Sequence, residues 1–285
     1  MNKSKAISLL IIAPLTIGVL TACNSSEDDT SASTITSTST TSAKESDDEK
    51  TSETTSPDNK DKETKITMGE QKEPDFLDDF GALKIANTNL KDDVVRVDIV
   101  FDFSCPACQM VDSLLKDKLK EQVDNGEITL HLNPISFLDS ATKKDYSSRA
   151  ASAFMTIAEE SPEKAFDFMS LLFSEKYFNA DGKESKEVGD EYFVEIAKEV
   201  GTSEKTQEAI KENHYYEWAK KNTEKVALDS TLYSKEERLS TPRIRFGRDT
   251  EKPGTARLSG AVEEDYLMYL DMYKNPDKTF NILGE

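Results

Sequence analysis

Val94-Val95-Arg96-Val97-Asp98-Ile99-Val100-Phe101-Asp102-Phe103-Ser104-Cys105-Pro106-Ala107-Cys108 is the stretch that decides the fold. Its first part is rich in β-branched and aromatic side chains. Val95, Val97, Ile99, Val100, Phe101 and Phe103 make a near-continuous apolar run, which reads as a strand buried on both faces. The run leads into Ser104 and the Cys105-Pro106-Ala107-Cys108 sequence. After it, Val111, Leu114, Leu115 and Leu119 recur at helical spacing. Asn125-Gly126 marks a turn. Ile128, Leu130 and Leu132 then alternate with Thr129 and His131, the pattern of a second core strand. The unit is strand–helix–strand, and a parallel pairing through a right-handed crossover is expected.

Upstream, Gly81 to Ala86 fits a short strand. Downstream, residues 141–228 read as a long helical block. Ala150, Ala151, Ala153, Phe154, Ile157 and Ala158 form one apolar stripe, punctuated by Ser161-Pro162 with the proline in a first-turn position. Phe166, Met169, Leu172 and Phe173 form the next stripe. Asn179 to Gly189 is polar and reads as a loop. Tyr192, Phe193, Ile196 and Ala197 mark a further helix, ended by Gly201. Ile210, Trp218 and Val226 belong to buried faces after it. Strand signals return at Thr241-Pro242, where Ile244 and Phe246 alternate with Arg243 and Arg245. Pro253-Gly254 is a turn, and Ala256 to Leu258 completes a hairpin. Val262, Tyr266, Leu267, Tyr269, Leu270 and Tyr273 give a closing amphipathic helix.

The formal charge of −19 argues against a nucleic-acid partner and against electrostatic docking on anionic lipid. The chain has three cysteines, Cys23, Cys105 and Cys108, too few for a disulfide-stapled scaffold. Cys23 has its own explanation. Lys3 and Lys5 precede an apolar stretch from about Ala6 to Leu20, short of the ~20 residues of a typical spanning helix and suited to a signal peptide. The stretch ends in Leu20-Thr21-Ala22-Cys23, which resembles the bacterial lipobox. Lipidation of Cys23 and a position on the extracytoplasmic face of the cell membrane are therefore expected. Two acyl chains suffice for stable anchoring. From Asn24 to about Thr67 the sequence is Ser, Thr, Asp, Glu and Lys with almost no apolar residues, the composition of a flexible tether.

Cys105 and Cys108 carry the chemistry. A cysteine at a helix N-terminus is favoured as thiolate by unpaired N–H groups and the helix dipole. A second cysteine one turn on is close enough to attack a mixed disulfide. Pro106 suits an early helical position. Cys105 is thus the candidate nucleophile and Cys108 the resolving thiol. Two other readings compete. A structural disulfide across so short a loop gains little stability. A zinc site wants four ligands, and there is no second cysteine pair; His131 and His214 are the histidines. No metal and no cofactor are expected.

These residues resemble the DsbA-like branch of the thioredoxin superfamily from about Asp75 onward. The resemblance is carried by Phe101 to Cys108, the helical block after the second strand, Ser161-Pro162, Thr241-Pro242 before the late hairpin, and Ser259-Gly260-Ala261 before the last helix. It implies an α/β, thioredoxin-like fold with an inserted α-helical domain. The chain then divides into a lipoprotein signal peptide (1–22), lipidated Cys23 with its tether (23–70), a thioredoxin-like N-terminal part (71–140), the insertion (141–230) and a thioredoxin-like C-terminal part (231–285). The resemblance also implies that Pro242 is a cis-proline facing the cysteines. The Thr241 backbone would pair with an extended substrate segment, with Pro106 and Ala107 also on the substrate side. The implied activity is oxidation of thiols in reduced exported proteins by a Cys105–Cys108 disulfide, with reoxidation by a quinone-linked membrane redox partner.

The chain departs from the pattern at informative places. Many relatives carry a buried acid six residues before the first cysteine, and here that position is Ile99. Asp98 is adjacent, but a regular strand turns it to the opposite face. Asp102 matches an acid common in the motif and is expected in a structural role at the strand end. The dipeptide between the cysteines lacks the histidine of some strong oxidases. Arg243 follows the proline and, if near Cys105, would lower its pKa and make the disulfide more oxidising; the other reading is a solvated strand arginine. His131 and His214 read as structural or surface residues. Two further functions fit the same pattern: a disulfide reductase of the same fold, and a non-catalytic lipoprotein that holds peptides in the cleft.

Overall fold

A computed structural model describes residues 66–180, 185–234, 237–248, 254–256 and 261–276. The expected signal peptide, Cys23 and most of the tether lie outside the described residues, as do Pro253, Leu258 and Ser259-Gly260. Five strands form one sheet: β1 (Leu83–Ile85), β2 (Val95–Asp102), β3 (Ile128–Ile135), β4 (Arg243–Gly247) and β5 (Gly254–Ala256), in the order β1-β3-β2-β4-β5. Strand β2 is parallel to β3, with Val97 opposite Leu130. It is antiparallel to β4, with Ile99 opposite Ile244. Helix α1 (Pro106–Asp124) makes the crossover from β2 to β3, so the strand–helix–strand unit is present.

Every residue of β2 is buried, but its two faces differ. Val95, Val97, Ile99 and Phe101 join the main apolar core with Val111, Leu115 and Leu119 of α1. Leu114, expected in that stripe, is instead 48% exposed. The opposite face of β2 holds charge as well as Val100. Arg96 donates to Asp98 at 2.8 and 2.6 Å and to Asp78 at 2.8 Å. Arg245 of β4 reaches the same Asp98 at 3.3 Å. His131 Nδ1 meets Asp78 at 2.6 Å. Buried charge survives there because each partner is paired.

Strand β3 runs past the alternating segment to Ile135 through Pro134. β1 pairs only with Leu130 to Leu132, so Pro134 sits where the sheet has an open edge and a missing N–H is tolerated. The Pro134 carbonyl accepts from Asn222 at 3.0 Å instead.

Among the described residues between β3 and β4 are the α-helices α2 (Tyr146–Glu160), α3 (Ala165–Leu172), α4 (Asp190–Glu199), α5 (Glu204–Ile210) and α6 (Tyr216–Ala227). Helix α2 was expected to show one apolar stripe. It is buried on all sides from Tyr146 to Ala158, because its small alanines and serines let neighbouring helices approach closely. Ser203 caps α5 by accepting from Thr206 N at 3.1 Å. Gly201 ends α4 with φ +79. The sheet side of the molecule is closed by α7 (Val262–Lys274). Phe246 of β4 stacks on Tyr269 at 5.7 Å, and Tyr266 donates to Gln122 of α1 at 2.5 Å.

The end of the tether differs from the expectation at residue 70. Thr67 N donates to Asp190 at 2.8 Å, and Asn213 donates to the Thr67 carbonyl at 2.8 Å. Gly69 N and Lys72 N bond the carbonyls of Glu212 and His214 at 2.7 and 2.8 Å. Residues 67–72 are therefore stitched to the helical insertion. Among the described residues no helix is long and apolar enough to cross a membrane.

Candidate active site

Cys105 is the N-cap of α1, in extended conformation, with Pro106 opening the helix. Its carbonyl accepts from Cys108 N at 3.0 Å and Gln109 N at 3.1 Å. The first-turn N–H groups have no partner within the helix and favour negative charge at the sulfur. Both thiols are free, with Cys105 6% and Cys108 3% exposed.

The two sulfurs are driven apart. Hydrogen bonding from the Cys108 side chain is the largest influence on the Cys105 thiol, and burial opposes it. Thr241 and the amides of Cys108 and Ala107 add to the first effect, and the thiol falls from 9.0 to about 6. The Cys108 thiol is pushed well up, first by burial and then by its hydrogen bond to, and the charge of, Cys105. The site thus favours negative charge on Cys105 over Cys108.

Pairing of β4 with β2 brings a distant segment onto the cysteines. Val100 lies opposite Arg243, so the residues just before Arg243 reach the end of β2. The Thr241-Pro242 bond is cis. The Thr241 carbonyl lies 3.5 Å from Cys105 Sγ. The Thr241 hydroxyl is buried and has no hydrogen-bond partner. Pro242, Cys108, Ile99, Phe101 and Asp112 are among the residues that line a small cavity of about 20 Å³. Arg243 is engaged elsewhere: its guanidinium lies over the Tyr233 ring at 4.6 Å and faces Glu237 at 3.4 Å. Its charge is therefore shared with a carboxylate, and the groups that lower the Cys105 thiol are those named above.

Asp102 organises the site without facing the sulfurs. Its carboxylate accepts from Ser104 N at 2.9 Å, Ser147 Oγ at 2.6 Å and Leu138 N at 3.1 Å. Burial pushes it up to about 7, against those hydrogen bonds. Its carbonyl accepts from Cys105 N at 3.1 Å. Ser104 Oγ donates to the Asn179 carbonyl at 2.6 Å and ties the cysteine loop to the insertion. Phe103 stacks on Phe173 at 5.5 Å behind it. Ser104, Ser147 and Asp112 were not singled out from the sequence. Only Asp112 carried a local signal, one helical turn beyond Cys108.

Both histidines are occupied away from the cysteines. His131 bonds Asp78 and Thr129, and His214 Nδ1 meets the Glu70 carbonyl at 2.7 Å. Among the described residues no group of three or more His, Cys, Asp or Glu side chains is arranged to hold a metal.

Residues 91–231 match the family model described as Thioredoxin. Solved structures agree with this thioredoxin-like fold. The reduced disulfide bond oxidoreductase DsbG of Mycobacterium tuberculosis has a TM-score of 0.54 at 23% identity, over 68% of this chain and 92% of that one. MdbA, a thiol-disulfide oxidoreductase of Corynebacterium diphtheriae, has a TM-score of 0.55 at 21% identity, over 75% and 97%. Oxidised BdbD of Bacillus subtilis has a TM-score of 0.50 at 22% identity, over 74% and 100%. No curated protein matches the chain in sequence. The fold is thus the thioredoxin-like one of these three solved structures, with several helices between β3 and β4.

Proposed function

We propose that this protein is an extracytoplasmic thiol–disulfide oxidoreductase that oxidises cysteine pairs of exported proteins through a Cys105–Cys108 disulfide. The observation that carries the reading is a pair of free, buried thiols at the N-terminus of α1, with Cys105 3.5 Å from the Thr241 carbonyl, in surroundings that lower Cys105 to about 6 and raise Cys108. A stabilised thiolate favours the reduced protein, so the disulfide is a ready acceptor of electrons. The names given to the Mycobacterium and Corynebacterium proteins of the same fold support the same chemistry.

The exchange has two steps. A substrate thiolate attacks Cys105 Sγ, the Cys105–Cys108 bond breaks, and its electron pair leaves on Cys108. A second substrate thiolate then attacks the substrate sulfur of the mixed disulfide and expels Cys105 as a thiolate. The substrate loses two electrons and two protons; the protein's disulfide takes both electrons, Cys108 takes one proton, and the other proton goes to solvent while Cys105 stays a thiolate. A membrane redox partner takes the electrons and restores the disulfide. Lipid on Cys23 holds the domain at the outer face of the membrane, and the Ser/Thr-rich segment gives it reach.

Equilibration of the pair against glutathione tests the reading. A potential of about −120 mV is expected of a strong oxidase, whereas about −270 mV would make the protein a reductase. Absence of exchange, with an unaltered cellular phenotype for Cys105→Ala, would leave a peptide-binding lipoprotein.

A further inference from the structure

We infer that Asp112 exchanges the proton of Cys108 during the disulfide cycle, and that Ser170 links Asp112 to solvent; the inference rests on the oxidoreductase reading above. Cys108 is buried, and its proton has to be taken or supplied by a nearby group when the disulfide forms or breaks. Ile99 leaves the usual place for such an acid apolar. Asp112 stands one turn along α1 from Cys108, on the same helix face. The two side chains line the same small cavity, whose volume of about 20 Å³ has room for one water.

The surroundings of Asp112 suit a proton carrier. Its side chain is almost fully buried, at 7% exposed. Ser170 of α3 donates to Asp112 Oδ1 at 2.8 Å and is its hydrogen-bond partner among the described residues. Burial pushes its pKa up, while Ser170 and the charge of Lys116 pull it down and Asp117 pushes it up. From α3, Asp167 is paired with Lys120 at 3.3 Å. Ser170 also lines an open groove between α1 and α3 with Lys116, Asp117 and Lys120. Its hydroxyl therefore stands between the buried acid and solvent.

The other two buried acids near the strand are committed. Asp98 lies on the far face of β2, held by Arg96 and Arg245. Asp102 has both oxygens occupied by donors and is absent from the cavity wall.

In the oxidising direction, the electron pair of the broken Cys105–Cys108 bond leaves on Cys108 Sγ. That sulfur takes the proton of the Asp112 carboxylic acid through one water in the cavity that both residues line. The Asp112 carboxylate regains a proton from the groove through Ser170. When the Cys105–Cys108 bond re-forms, Asp112 takes the proton back and Cys108 attacks as a thiolate.

The test loads Cys105 of the full chain with glutathione as a mixed disulfide and follows glutathione release by Cys108 from pH 5 to pH 9, a window of about two units either side of neutrality. Asp112→Asn is expected to slow release by about 100-fold at pH 6 and to leave a rate that climbs with hydroxide. A loss below about 10-fold at that pH overturns the assignment. Alkylation of Cys105 serves as the control for folding, with its pH profile retained. If Asp112→Asn does not fold, Ser170→Ala decides. Loss of its hydrogen bond to the carboxylate moves the midpoint of the release profile to higher pH, and an unmoved midpoint overturns the proposal. A wild-type protein that forms no mixed disulfide defeats the oxidoreductase reading itself. One that exchanges normally while Asp112→Asn resolves at the wild-type rate defeats only the role of Asp112.

Discussion

The Cys105 sulfur lies 3.5 Å from the carbonyl oxygen of Thr241, a residue 136 positions further along the chain. The same residue buries a hydroxyl that has no partner while both cysteines are thiols, and that hydroxyl serves the Cys105 sulfur once it is a thiolate. Thr241→Val keeps the shape and deletes that hydroxyl. Because Thr241 lowers the Cys105 thiol, the variant should titrate Cys105 at higher pH, read from thiolate absorbance in the ultraviolet. An unmoved titration would remove Thr241 from the group acting on the sulfur.

Cys108→Ala removes the largest influence that lowers the Cys105 thiol. Cys105 should then titrate closer to an ordinary cysteine. Mixed disulfides with protein substrates should persist, because no second thiol of the protein remains to displace them. Mass spectrometry of the intact adducts measures this directly.

The reduction potential should change slope with pH near 6, where the Cys105 thiol ionises. Below that pH two protons accompany two electrons, and the potential falls by about 59 mV per pH unit. Above it one proton does so, and the fall is about 30 mV per pH unit. The linkage has a definite sign. Stabilisation of the reduced protein by Cys105 is full above 9.0 and is lost as pH falls through about 6. A single steep line up to pH 8, about two units above the expected break, would place the Cys105 thiol in the ordinary range.

Asp102 acts in the opposite sense. Its folded-state pKa is raised from 3.8 to about 7. Its contribution to stability is full below 3.8 and is lost as pH rises through about 7. Urea midpoints should therefore carry a declining component across that window. Asp102→Asn should flatten it while costing about 1–3 kcal/mol, because an amide N–H2 then opposes one of three donors. A pH dependence identical to wild type would show that Asp102 titrates as an ordinary carboxylate.

Asp98→Ala should cost about 3–5 kcal/mol, since it removes the carboxylate shared by two buried guanidinium groups and leaves Arg96 with Asp78 and Arg245 with Thr231 and the more distant Asp229. Arg96 and Arg245 are 2% and 3% exposed. The Cys105 titration should stay in place, because this network occupies the face of β2 turned away from the main core. A shifted thiol would mean that the two faces communicate.

The parts of this molecule that are written locally were readable from the sequence. The β-branched run of β2, the spacing along α1 and the Cys-Pro-Ala-Cys boundary each reflect neighbours in the chain, so they pointed to the strand–helix–strand unit. Other features depend on distant partners. The charged face of β2 is intelligible only once Asp78 and Arg245 are placed beside Arg96 and Asp98. Leu114 fits the helical stripe by spacing, yet no element covers it. Helix α2 looks one-sided as a string of letters, and its second side is closed by the packing of the other helices. Asp112 shows the limit most plainly. Its spacing from Cys108 is visible, but its burial and its link to Ser170 require α3.

Residues 67–72 give the insertion a mechanical duty. A pull on the chain from the N-terminal side first meets the hydrogen bonds of Thr67 to Asp190 and Asn213. Asp190 is braced in turn by Arg149, which is fully buried in α2. Load is thus delivered into the helices ahead of the sheet, and the junction of β2 and α1 that carries Cys105 is spared the strain of such a pull.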